Sequence, residues 1–87
     1  MIIYTVKTVD DRFNVEENLM DTTDKQLAYK VLGIVRELYS TDENVNTQAI
    51  LCMTNSECEV PDDYIWWYDD AFTNEFINKV WSMLKEK

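Results

Sequence analysis

Residues Ile2-Ile3-Tyr4-Thr5-Val6-Lys7-Thr8-Val9 are rich in β-branched side chains. In the middle of the run Tyr4 and Val6 alternate with Thr5 and Lys7, as in a strand with one buried face. Asp10-Asp11 is the expected tight turn, and Arg12 to Glu16 alternates again with Phe13 and Val15 on one side. The pattern predicts a hairpin from residue 2 to about 17, although the turn lacks the glycine that two-residue hairpin loops favour. Past Leu19 and Met20 the period changes. Thr23, followed three residues later by Gln26, matches a capping box, and Asp24 suits the positive end of a helix dipole. Leu27, Val31, Ile34, Val35 and Leu38 then recur at helical spacing, with Ala28, Leu32 and Tyr39 widening the stripe so that it can pack on a sheet. Gly33, inside this helix, costs about 1 kcal/mol relative to alanine, which points to close approach by a neighbouring element.

Residues 40–44 read as a polar loop. Ala49-Ile50-Leu51-Cys52-Met53 is apolar without alternation, the expectation for a central strand covered on both faces. Asn55-Ser56-Glu57 turns the chain, and Pro61 interrupts any continuous ladder. Next comes Val60-Pro61-Asp62-Asp63-Tyr64-Ile65-Trp66-Trp67-Tyr68-Asp69-Asp70, in which two acidic pairs bracket five large apolar or aromatic residues. As a strand, it points Ile65 and Trp67 to one side and Tyr64, Trp66 and Tyr68 to the other. A competing reading starts a helix at Pro61; Ile-Trp-Trp-Tyr favours the strand. Asp69-Asp70 is expected at the start of a last helix, whose stripe is Phe72, Phe76, Ile77, Val80, Trp81 and Leu84, with lysines toward its C-terminal half. The fold class is therefore α+β: one small domain over residues 1–87, order β-β-α-β-β-α, with a mainly antiparallel sheet and two amphipathic helices packed on it.

Composition narrows what such a domain does. Seventeen acidic against eight basic residues give a net charge of −9, which repels nucleic acid and anionic membrane surfaces and favours partners with basic faces. No direct nucleic acid binding and no membrane association are expected. No basic-then-apolar leader and no apolar run near the ~20 residues of a bilayer span is present, so the expectation is a cytoplasmic protein. Two cysteines, Cys52 and Cys58, fall far short of a disulfide framework, and without histidine they complete no zinc site. Two ordinary thiols, at least one of them buried, are expected, with a disulfide or redox pair as the alternative.

With no histidine and one glycine, neither a nucleophile–imidazole pair nor a phosphate-cradling loop can be built. Carboxylate pairs suited to glycoside hydrolysis arise by chance among so many acids, and a chain this short has little material to wall a cleft. The acids also lack the alternate spacing and glycine of an EF-hand. The chain reads as non-enzymatic, with no catalytic residue, no metal site and no cofactor.

The distribution of charge says more. Between Arg36 and Lys79 there is no basic residue, while ten acids occupy that stretch. Clustered like charges within a Debye length of ~8 Å oppose folding, so the fold alone gives no reason to gather them. The bland account is that they keep an aromatic-rich chain soluble. The functional account is a rigid row of carboxylates that engages lysines and arginines which normally hold phosphates, with exposed aromatics supplying contact area. In size and charge alone the chain resembles the small acidic DNA-mimic proteins that phages make against host nucleases, repair enzymes, and restriction and CRISPR systems. Residues of AT-rich codons (Phe, Tyr, Met, Ile, Asn, Lys) number 31 against 7 of GC-rich ones (Gly, Ala, Arg, Pro), a bias common in phages and in low-GC bacteria; for a phage-encoded chain the location would be the host cytoplasm.

The expected partner is a basic protein, a nucleic-acid-binding enzyme or complex, and the role is anti-defence or host takeover. The candidate contacts are Asp62, Asp63, Asp69 and Asp70, with Tyr64, Trp66 and Tyr68 as the apolar centre and Glu57 and Glu59 as the rim. The alternative is a small structural or accessory protein that homodimerises or docks on a larger assembly through its Trp/Tyr-rich face.

Overall fold

The computed structural model describes residues 1–40, 46–68 and 72–86. Its elements follow the expected order: β1 (Ile2–Asp10), β2 (Val15–Thr22), α1 (Lys25–Leu38), β3 (Thr47–Asn55), β4 (Ile65–Trp67) and α2 (Asn74–Glu86). The four strands form one antiparallel sheet in the order β3-β1-β2-β4. Alternation along β1 sends Tyr4, Val6 and Thr8 into the core. On that face they meet Ala28, Val31, Leu32, Ile34 and Val35 of α1 and Ile77 and Val80 of α2. Both helices cover this one face, and Ile3, Thr5, Lys7 and Val9 lie half-buried on the other.

The first hairpin is longer than its alternation implied. Val6 pairs with Met20 and Lys7 with Asn18, so Leu19 is the extra residue of a bulge. A bulge puts two consecutive side chains against the same partner region, and Leu19 and Met20 are both fully buried. The adjacency that looked like the end of the strand is thus its anchor, and β2 runs on to Thr22. The turn is Asp11 to Asn14 rather than Asp10-Asp11, with Asn14 in the left-handed region (φ 52°) that asparagine tolerates. Phe13 sits in that turn, 71% exposed, with the Arg12 guanidinium 5.3 Å from its ring centre.

Helix α1 begins one residue later than the capping box implied. Its N-cap is Asp24, whose carboxylate accepts the Leu27 N–H at 3.2 Å, and Thr23 is occupied elsewhere. Gly33 is exposed, and a Cβ built there would meet nothing within 4 Å, which overturns the expected close approach. Strand β3 is also not central. It is one edge of the sheet, its apolar run arising because Ala49 and Leu51 pack toward the core while Ile50 and Cys52 are half-buried on the other face. Cys52 is half-buried and Cys58 exposed, both as free thiols, so neither is the fully buried small hydrophobe expected. Before α2, the Thr73 hydroxyl accepts the Phe76 N–H at 3.3 Å. Asp69 and Asp70, read as the start of that helix, lie outside the described residues.

Candidate functional site: the acidic crossover and its aromatic edge

Residues 56–64 leave β3 on one edge of the sheet and reach β4 on the other, so the segment crosses the end of the sheet that carries Ile2 and Thr22. Backbone bonds hold it at several points. Ser56 N–H donates to the Met1 carbonyl at 2.8 Å, and Thr23 N–H to the Tyr64 carbonyl at 3.1 Å. The Thr23 hydroxyl donates to the Asp62 carbonyl at 2.6 Å and lies 3.3 Å from that of Pro61. Thr23, expected to cap a helix, instead ties down the acidic segment.

Glu57, Glu59, Asp62 and Asp63 all lie on this crossover and are all exposed. The ion pairs formed among the described residues are Lys7–Glu16 and Arg12–Asp10, both 3.2 Å, so none of these four carboxylates is matched by a cation there. Glu57, Glu59 and Asp62 border an open hollow of about 660 Å³, shared with Met1, Cys58 and Pro61. By contrast, the Arg12 hydrogen bond holds the Asp10 carboxyl below its usual range, and the bond to Glu16 raises Lys7.

The aromatic residues divide as the strand reading requires. Trp67 pairs with Met20 and turns to the helix side, where its ring lies 5.2 Å from that of Trp81. Trp66 pairs with Asp21, on the open face, and is 55% exposed. Tyr64 and Tyr68 are half-buried. The Tyr68 hydroxyl donates to Asp21, which also accepts from the Thr5 hydroxyl. The bond to Asp21, helped by burial, pushes the Tyr68 phenol up to about 12. Of the three expected aromatic contacts, Trp66 is the one presented to solvent.

Asp21 was missed by sequence reasoning. It joins β1, β2 and the end of β4 through two hydroxyls, and no spacing rule marks it, since its partners are 16 and 47 residues away. Asp69 and Asp70 belong to the undescribed residues, so the site comprises Glu57, Glu59, Asp62, Asp63 and Trp66.

Among the described residues no three His, Cys, Asp or Glu side chains converge as metal ligands, and no helix is long and apolar enough to cross a membrane. Compared with known proteins, the chain matches no family model, no curated protein and no solved structure.

Proposed function

We propose that this is a non-enzymatic acidic binding protein that occupies the nucleic-acid-binding surface of a basic partner, in the manner of a phage-encoded inhibitor. The observation that carries this reading is the set of exposed carboxylates on the 56–64 crossover, none of them paired with a cation among the described residues. Four strands at ~4.8 Å spacing make the crossed edge roughly 14 Å wide. Four carboxylates spread over that width would stand about 4.8 Å apart, the same order as the ~3.4 Å per charge along one strand of a duplex. Anchoring by Thr23 and Met1 keeps the row in place before binding, which lowers the ordering cost of association. Trp66 beside it offers a rigid aromatic contact of the kind that dominates interface energetics.

The test is capture from nuclease-treated bacterial extract by the tagged protein, eluted with a salt gradient, alongside a variant carrying E57Q, E59Q, D62N and D63N. The reading expects a nucleic-acid-handling protein that elutes at moderate salt, is displaced by added DNA, and is lost with the variant. Partners that resist salt, ignore DNA and bind the variant equally would refute it.

A further inference from the structure

We infer that the free edge of β3 is a self-association surface, on which a second copy of this chain pairs antiparallel to extend the sheet. Ser56 N–H bonds the Met1 carbonyl and Asp11 N–H bonds the Asn46 carbonyl. Alternation between these two points aims the even-numbered residues of β3 at β1 and the odd-numbered ones outward. The Ala49 carbonyl is therefore on the free edge, and the Arg36 side chain reaches down to it at 3.3 Å. Beyond Ala49, the N–H and C=O groups of Leu51, Met53 and Asn55 have no partner among the described residues.

Exposed edges are usually blunted by charge, proline, a bulge or shortness. Strand β3 has none of these: nine residues, no charge, no proline and a continuous register with β1. In a chain of net charge −9, most of the surface repels a second copy, and this neutral edge is where two copies can meet. An antiparallel pairing about Met53 sets Leu51 opposite Asn55 of the second copy and Met53 opposite itself. All of these residues point their backbone groups outward, so the pairing forms about six new hydrogen bonds. Met53 is 67% exposed in the single chain.

The same register supplies charge complementarity. It brings Glu57 level with Ala49 of the second copy, and so beside the Arg36 that holds that carbonyl. Neither Glu57 nor Arg36 makes an ion pair with a described residue of its own chain. Tyr29 and Gly33 lie on the same helical stripe as Arg36 and are both exposed. They add area that strand pairing alone lacks when set against the ~1,200 Å² of a stable interface, and the bare backbone at Gly33 gives the second copy's helix room to approach.

Sedimentation equilibrium on the full chain tests this, with circular dichroism confirming that each variant folds. The wild type is expected to move from the mass of one chain toward that of two as concentration rises through the micromolar range. Met53→Pro removes an outward N–H that β1 does not use, and Met53→Lys places a like charge across the two-fold axis; each is expected to weaken association at least tenfold. Should the proline variant not fold, the lysine variant decides. Arg36→Glu and Glu57→Arg are each expected to weaken association several-fold, and the double swap to restore it. A wild type that remains monomeric to millimolar concentration overturns the inference. So does a dimer indifferent to Met53→Lys but broken by Trp66→Ala, or a double swap that fails to recover.

Discussion

The two edges of this sheet are built on opposite principles. The β4 edge is three residues long, preceded by Pro61 and two aspartates, and its core-side residue Trp67 is held by a helix. The β3 edge is three times that length, carries no charge, and presents a row of backbone groups without partners among the described residues. Short, proline-flanked, acid-rimmed edges resist strand addition, and long neutral ones invite it. One chain thus offers a side-chain surface at one edge and a backbone surface at the other. The former carries the surface proposed for a cationic partner, and the latter the one proposed for a like strand.

The largest effect should come from removing what holds the β4 edge in place. Trp67→Ala deletes the ring that packs on Trp81 and covers Met20, and large-to-small changes of this kind cost about 3 kcal/mol. Urea unfolding should show that loss, whereas Met53→Ala on the opposite edge should leave single-chain stability within about 0.5 kcal/mol. Equal losses at both positions would mean that β3 is as buried as β4's inner face, and the contrast between the edges would fail.

Next in size is the polar clasp behind β4. Tyr68→Phe removes a donor to Asp21 and is expected to cost about 1 kcal/mol without touching Trp67. The same bond makes a pH prediction. The phenol is raised in the folded chain from an ordinary 10 to about 12, so the folded state holds this proton more tightly than the unfolded one. Its contribution is complete below pH 10 and is lost as pH climbs from about 10 to about 12. A phenolate absorbance titration should show Tyr68 lagging the ordinary range, and that one tyrosine's lag should be lost in Tyr68→Phe. Tyr39, raised chiefly by its own burial, should lag in both proteins.

Legibility from sequence followed the range of the interactions. The element order, the α1 stripe and the opposite orientations of Trp66 and Trp67 rest on local periodicity, and each could be read from neighbours a few residues apart. The bulge at Leu19, the edge position of β3 and the role of Thr23 depend on pairing with residues far along the chain, which no local pattern encodes. An apolar run without alternation looks the same whether both faces are covered or one is half-exposed, and on that ambiguity the sequence of β3 reads as a central strand. The acidic doublets were visible as composition. That Glu57, Glu59, Asp62 and Asp63 share a segment crossing the sheet's end came only with the topology, and Asp21, silent in sequence, emerged the same way.

The smallest effect concerns Gly33, and it separates the demands of folding from those of the β3 edge. In a helix interior glycine is about 1 kcal/mol worse than alanine, and a Cβ at Gly33 would meet no neighbour within 4 Å. Gly33→Ala should therefore raise single-chain stability by about 0.5–1 kcal/mol, read by urea unfolding at a concentration too low for pairing. If the glycine serves only the single chain, nothing else should change. If it admits a second copy's helix beside the β3 edge, the same substitution should weaken self-association while it strengthens the fold. A stabilised chain that dimerises as tightly as the wild type would confine the interface to the strand itself, and a destabilised one would mean that α1 is more crowded at this point than its open surface indicates.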